Sequence, residues 1–312
     1  MNLTVALQYC TKHPHELKQY RTVPIDRLQI DSRTQTLIAQ IDRLALTALA
    51  DEVDLVLKPG LVCPESTGSH SDMDYALFQK SIQSLTGYFS NICTLGYNQH
   101  AFHDLQQLGV ACEQRMLHAT NQINTHKGAI FNLGFASAGI GHCLQQNIPL
   151  TAEHICEQII KRWQTDLLHK LDRNPQSHGQ QMRLKYGIPG AIEQVAYGFE
   201  LIREKSLPCF KSVMATTGDH ERAAMQTLML LISALPDTNL VWRGGISALL
   251  IAQQMAQDFL KNGGVFQTQW RTQIEQINQY FIQHRLSPGG SADLLGVSIF
   301  FYKVENEFSH IV

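Results

Sequence analysis

The chain has 312 residues, with 25 Lys and Arg against 27 Asp and Glu. That length can bury a large core, and the near-neutral balance excludes a nucleic-acid coat or an anionic membrane surface as the main partner. The seven cysteines are odd in number, scattered and without a C-x-x-C, which excludes a disulfide framework and a structural zinc site and predicts reduced, mostly buried thiols. No basic-then-apolar leader opens the sequence. Its longest apolar stretch, Leu228 to Leu235, falls short of the roughly 20 residues that span a bilayer, so a cytoplasmic protein is expected.

Residues 1–30 carry Pro14 and Pro24 without a helical period, and a short strand over Leu3 to Leu7 followed by irregular chain is expected there. A single all-helical domain over residues 31–312 is expected to follow. From Arg33 to about Leu57, Leu37, Ile41, Leu44, Ala48 and Leu49 recur at helical spacing, and Pro59 ends the pattern. Lys58 to Asp74 is too polar for core and too rich in breakers (Pro59, Gly60, Pro64, Gly68) for helix, so it is an ordered turn sequence. Asp72 is a good N-cap for one continuous helix with Phe78, Ile82, Leu85, Phe89 and Ile92 facing the core, and another helix covers His100 to His118. The Gly- and Ala-rich stretch from Asn121 to Cys143 has small residues at Gly128, Gly134, Ala138 and Gly141. It predicts a central helix buried around most of its circumference, with His126 and Lys127 at its first turn.

Thr151 starts a helix toward Leu171, Asn174 to Gly179 reads as a polar loop, and Arg183 to Gly190 reads as a basic turn leading into a helix through Phe199. Asp219 opens an apolar helix to Leu235, a turn covers Pro236 to Gly245, and Ile246 to Leu260 is helical. Ser287 to Asp293 interrupts a last helix pair. The fold expected is all-α, a multi-helix bundle or orthogonal array around the central helix.

Several loops share one design, a Gly-containing turn that runs into a helix with a charged residue at the junction. Helix N-termini present free N–H groups and partial positive charge, and glycine lets an anion approach the backbone. Arg243-Gly244-Gly245, Gly289-Gly290-Ser291 and Lys185-Tyr186-Gly187 are each ordinary turns when taken alone. Together with Lys58, Lys127 and Arg183 they point to a polyphosphate ligand. Glu65, Asp72, Asp74, Asp237 and Asp293 are hard oxygen donors of the kind Mg2+ takes beside substrate phosphates, although an aspartate before a helix is more often a cap. Asp72 and Asp74 can also act as base or cation stabiliser, and His70 and His126 are proton-transfer candidates. Cys63 lacks a cationic or metal partner and reads as a packed thiol. No Walker motif, strand-linked Gly-x-Gly-x-x-Gly or Ser nucleophile elbow is present, so the residues alone give an all-α enzyme acting on a phosphorylated ligand, with Mg2+ expected.

Taken in order, Lys58-Pro-Gly-Leu-Val, Gly68-Ser-His-Ser-Asp-Met-Asp74, Asn124-Thr-His-Lys-Gly-Ala-Ile-Phe131, Tyr186-Gly-Ile-Pro-Gly190, Asp237-Thr-Asn-Leu-Val-Trp-Arg-Gly-Gly245 and Ser287-Pro-Gly-Gly-Ser-Ala-Asp-Leu-Leu295 resemble the triphosphoribosyl-dephospho-coenzyme A synthase family, which serves the citrate lyase and malonate decarboxylase systems. The resemblance implies that ATP is the co-substrate and donates its triphosphoribosyl unit to the 2′-hydroxyl of 3′-dephospho-coenzyme A, releasing adenine. The product is then the precursor of a prosthetic group on an acyl-carrier subunit. Such a substitution at an anomeric carbon passes through an oxocarbenium-like transition state. Basic residues and helix termini would hold the triphosphate with Mg2+, a carboxylate would stabilise or deprotonate, and a histidine would protonate the leaving base. One departure stands out. Where the family has Gly-x-Arg-x-Glu after the Tyr-Gly turn, this chain has Gly190-Ala-Ile192-Glu193-Gln194. Glu193 is a substitute in shifted register, Arg183 or Lys185 is left to supply the charge, and no catalytic role is assigned to Ile192 or Gln194.

Two readings from other classes stay open at this level. One is a helical metal-dependent phosphohydrolase, to which His103 and Asp104 would contribute, and the other is a non-catalytic carrier-protein adaptor that binds a nucleotide. Neither the enzyme system served nor the oligomeric state is set by the sequence, and a homodimer is compatible with it.

Overall fold

The computed structural model describes residues 30–171 and 178–309. The strand expected over Leu3 to Leu7 and most of the loop expected over Asn174 to Gly179 lie outside the described residues. Within them the chain is all-α, as the periodicity predicts, and the one extended pairing is an isolated antiparallel bridge between Cys63 and Ser66.

Helix α1 (Ser32–Asp54) starts at Asp31, whose carboxylate accepts from the Thr34 N–H at 3.0 Å, and buries a stripe from Ile38 to Val53. The continuous helix expected after the motif loop is instead two, α2 (Tyr75–Ser84) and α3 (Tyr88–Tyr97). Gly87 between them takes φ +82°, and Asp42 on α1 accepts from the N–H groups of Gly87 and Ser90 at 2.9 and 3.1 Å, capping α3 from across the bundle. The cap of α2 is Asp74 and not Asp72, its Oδ1 accepting from the Leu77 N–H at 2.8 Å.

After α4 (Phe102–Ala119), the central α5 (Lys127–Gln146) buries nearly every residue from Ala129 to Cys143 against α3, α6 (Ala152–His169) and α13 (Gly289–Glu307). A short helix, α7 (His178–Tyr186), carries Arg183 and Lys185 where a turn is expected, and α8 (Ala191–Ala196) follows. A π-helical turn at Ile202–Ser206 enters α9 (Leu207–Thr217), and α10 (His220–Ala234) starts at its cap Asp219. The turn expected over Pro236 to Gly245 is the first part of α11 (Thr238–Lys261), which bends at Gly245, where φ 73° and ψ −174° leave the helical path. A 3-10 turn, Gly264–Phe266, and α12 (Trp270–Gln283) complete the array. Cys63, Cys93, Cys112, Cys143 and Cys156 are buried free thiols, as expected. Among the described residues no helix is long and apolar enough to cross a membrane.

Candidate active site

The N-termini of α5, α11 and α13 meet the motif loop around a cavity of about 670 Å³. Lys58, His70, Lys127, Gly190, Arg243 and Asp293 all line it, one from each of the segments that carry the family resemblance.

Lys58, only 2% exposed, stands at the floor and donates to the main-chain oxygen and to Oε1 of Glu52, both at 2.7 Å. Sequence reasoning missed Glu52. Its available signal was a carboxylate on the buried face of α1 between Leu49 and Val53. Asp293 lies on the first turns of α13 against the start of α5. A Cβ at Gly128 would fall 1.9 Å from its Oδ2, so any side chain there would displace the Asp293 carboxylate. Burial, then the neighbouring carboxylates of Glu52 and Asp237, holds the Asp293 carboxyl well above its ordinary 3.8, and no hydrogen bond from a described residue offsets that rise.

Asp237 is different. Its Oδ1 accepts from the Asn239 N–H at 2.9 Å, and its Oδ2 accepts from the Ser291 N–H and hydroxyl at 2.8 and 3.0 Å. It caps α11 while tying down the start of α13, and it also lines the cavity. Ser291 is buried beneath it rather than presented to the cavity.

The two histidines are both held by hydrogen-bonding neighbours. Arg243 donates to His70 Nδ1 at 3.1 Å, which leaves the ring proton on Nε2, 2.9 Å from Ser287 Oγ. Burial, then Arg243, lowers the His70 pKa to about 4. Thr125 Oγ1 donates to Ser81 Oγ at 2.7 Å, and Ser81 Oγ is 2.7 Å from His126 Nδ1; with the Ser81 hydroxyl as donor, the ring proton sits on Nε2. His126 is 3% exposed, its Nε2 has no partner among the described residues, and burial, then Lys58, takes its pKa to about 3. Burial thus favours the neutral form of both imidazoles.

Beside His126, Lys127 Nζ donates to Glu113 Oε1 at 2.6 Å. Arg183 pairs with Glu193, whose Oε2 accepts from the Gly190 N–H at 2.9 Å. The glutamate in shifted register therefore anchors the arginine that sequence reasoning left to supply charge.

Other expected residues stand apart. Glu65, Asp74, Lys185 and Gly244 do not line the cavity. Lys185 lies over the ring of Tyr186 at 4.9 Å, and the Cβ position of Gly244 is 2.4 Å from Ala248 Cβ. Asp72 borders an adjoining recess that shares His70 and Arg243 with the cavity, its Oδ1 3.8 Å from His70 Nδ1. Asp104 pairs with His100 at 3.0 Å rather than with His103, so the pair invoked for a phosphohydrolase is not assembled. Among the described residues no group of three or more His, Cys, Asp or Glu side chains converges to hold a metal. With Asp237 engaged in capping and Glu65 and Asp74 elsewhere, the carboxylates expected for Mg2+ do not form a centre by themselves.

Asn caps a helix about as well as Asp, so Asp74→Asn is expected to leave both melting temperature and turnover unchanged. Asp74→Ala should lower stability by about 1 kcal/mol with turnover kept. Thermal denaturation beside initial rates checks both, and a large rate loss in Asp74→Asn would return this carboxylate to the chemistry.

The profile of the CitG family, described as ATP:dephospho-CoA triphosphoribosyl transferase, matches residues 38–311. A probable 2-(5''-triphosphoribosyl)-3'-dephosphocoenzyme-A synthase of Acinetobacter calcoaceticus is 55% identical over 273 residues, covering 88% of this chain and 94% of that protein. The probable synthase 1 of Salmonella typhimurium is 37% identical over 274 residues, 84% of this chain and 89% of its own. The 2-(5''-triphosphoribosyl)-3'-dephosphocoenzyme-A synthase of Pectobacterium atrosepticum is 37% identical over 284 residues, 86% of this chain and 91% of its own. No solved structure matches the chain.

Proposed function

Since the chain belongs to the ATP:dephospho-CoA triphosphoribosyl transferase family, we infer that its cavity transfers the triphosphoribosyl unit of ATP to the 2′-hydroxyl of 3′-dephospho-coenzyme A and releases adenine. The observation that supports this reading best is the convergence of all the resembling segments on one cavity, where the carboxylate of Asp293 beside the start of α5 receives no hydrogen bond from a described residue.

In the reaction the bond from C1′ of the ATP ribose to adenine N9 breaks and a bond from C1′ to the acceptor oxygen forms. The electron pair of the broken bond leaves with adenine, while the proton of the acceptor hydroxyl goes to Asp293 and from there, through solvent, to the departing base, so that neutral adenine is released and the carboxylate is restored. A carboxyl whose pKa is raised by burial is a stronger base, once ionised, than an exposed one, and its charge also favours the cationic sugar carbon. His126 Nε2–H is available to bond the departing base, stabilising the developing negative charge without delivering a stored proton.

Lys58, Lys127 and Arg243, with the backbone N–H groups at Gly289 and Gly290, are the seats proposed for phosphate oxygens. Mg2+ is proposed to enter as the counter-ion of the triphosphate, whose own oxygens and water suffice as ligands. Onward transfer of the product to an acyl-carrier subunit of a citrate lyase or malonate decarboxylase belongs to the same reading.

Purified protein with ATP, Mg2+ and dephospho-coenzyme A is expected to give free adenine and an enlarged coenzyme in equal amounts by mass spectrometry. ADP or AMP as the stoichiometric product would overturn glycosyl transfer in favour of phosphoryl chemistry.

A further inference from the structure

We propose that the apolar branch of the cavity along α4 binds the pantetheine arm of the acceptor, an inference that rests on the reaction assigned above. Phe102, Leu105, Gln106, Gly109, Val110 and Glu113 all line the cavity. They stand at i, i+3, i+4, i+7, i+8 and i+11, which is a single face of α4. Leu105 on this face is buried in the core and Phe102 packs on Phe135 of α5, while Gln106, Gly109, Val110 and Glu113 continue the stripe along the cavity. Val110 is 37% exposed although it is an aliphatic residue in mid-helix.

The facing wall is also apolar. Phe131 and Phe135 of α5 contact each other with ring centroids 5.1 Å apart, and Phe135 stacks on Phe102 at 5.9 Å. Leu167 and Leu171, at and beyond the end of α6, add to it. Gly109 keeps the middle of the branch wide. A Cβ there would meet only Tyr88 Oη, at 3.5 Å, so no close packing demands the glycine.

Chemistry decides the occupant. A triphosphate would lose its hydration between these walls without gaining partners, which excludes the charged part of ATP. The pantetheine arm is the one long, uncharged chain on either substrate. From Phe102 to Glu113 the stripe runs roughly 16 Å at the helical rise, room for such a chain laid out along it. Its amides also have a partner. Lys170 Nζ donates to Gln106 Oε1 at 2.8 Å, which leaves the Gln106 amide N–H groups for a carbonyl of the arm. The Lys127–Glu113 and Arg183–Glu193 pairs line the same cavity.

Gly109→Leu fills the branch with a better helix former and so favours folding. Val110→Glu puts a charge in the same place on an accessible position. Calorimetric titration of the full chain with dephospho-coenzyme A and, separately, with ATP is the test. Each variant is expected to weaken dephospho-coenzyme A at least tenfold and to leave ATP affinity unchanged. Unchanged dephospho-coenzyme A affinity in both variants overturns the assignment, as does a loss shared equally by ATP or confined to it. These affinities need no turnover. A wild-type protein that released no adenine would defeat the reaction proposed above while the titrations still decided the branch.

Discussion

Asp293→Asn is expected to lower turnover by at least two orders of magnitude, the range for a positioned acid–base group, while raising thermal stability at neutral pH. The two effects have one origin. The carboxylate is confined by protein, lies near those of Glu52 and Asp237, and receives no hydrogen bond from a described residue, so its charged form is disfavoured by the fold. Its folded pKa therefore lies above the ordinary 3.8. The stability linked to this group is fully present below that value and is lost as pH rises through the folded pKa. An amide does not titrate, and burying it costs less than burying a charge. The gap in melting temperature between Asp293→Asn and wild type should accordingly widen with rising pH and close as pH falls toward 3.8. Melting curves against pH beside rates of adenine release check both halves. Retained turnover would remove Asp293 from the chemistry, and a pH-independent loss of stability would make it a structural carboxylate like Asp237.

The contrast between these two aspartates shows what sequence reading reaches here. Both follow a turn and precede or open a helix, and both carry the same resemblance, yet Asp237 is fully engaged with Asn239 and Ser291 while Asp293 is not. Nothing local in the chain distinguishes them, because the Ser291 donors come from a different helix. Asp72 and Asp74 pose the same problem at closer range. Only the register that places Asp74 Oδ1 on the Leu77 N–H decides which of them caps α2.

The all-α class and the buried α5 were readable from periodicity and small residues, because both follow from steric rules that act within a few residues. Partners distant in sequence were not. Glu113 meets Lys127 only because α4 folds back on the start of α5, and no spacing announces it. The α4 stripe is the subtlest case. Its periodicity is the same whether the face meets a helix or a cavity, so sequence reading gives an amphipathic helix and stops there.

Gly96→Ala and Gly141→Ala are each expected to destabilise the protein, near the upper end of the roughly 1–3 kcal/mol typical of overpacking. On helix propensity alone the sign should be the reverse, since alanine favours a helix interior by about 1 kcal/mol over glycine. The crossing of α3 and α5 overrules it. A Cβ at Gly96 would fall 2.1 Å from the Ala138 main-chain oxygen, and one at Gly141 would fall 2.0 Å from that of Cys93 and 2.7 Å from the Tyr97 nitrogen. Main-chain atoms in two helices cannot rotate aside as a side-chain tip can, so the helices must separate and α5 must shift with Gly128 and His126 at its start. Turnover should therefore fall along with stability. The double variant should cost less than the sum of the single ones, because the first separation makes room for the second methyl group. Gly109→Ala in α4 is the matched control. Its Cβ would meet only Tyr88 Oη at an ordinary 3.5 Å, so that variant is expected to gain stability. Urea unfolding of all four variants measures these differences directly. A gain in Gly96→Ala or Gly141→Ala equal to that of Gly109→Ala would show that the α3–α5 crossing tolerates a methyl group and that the close approach does not position the start of α5.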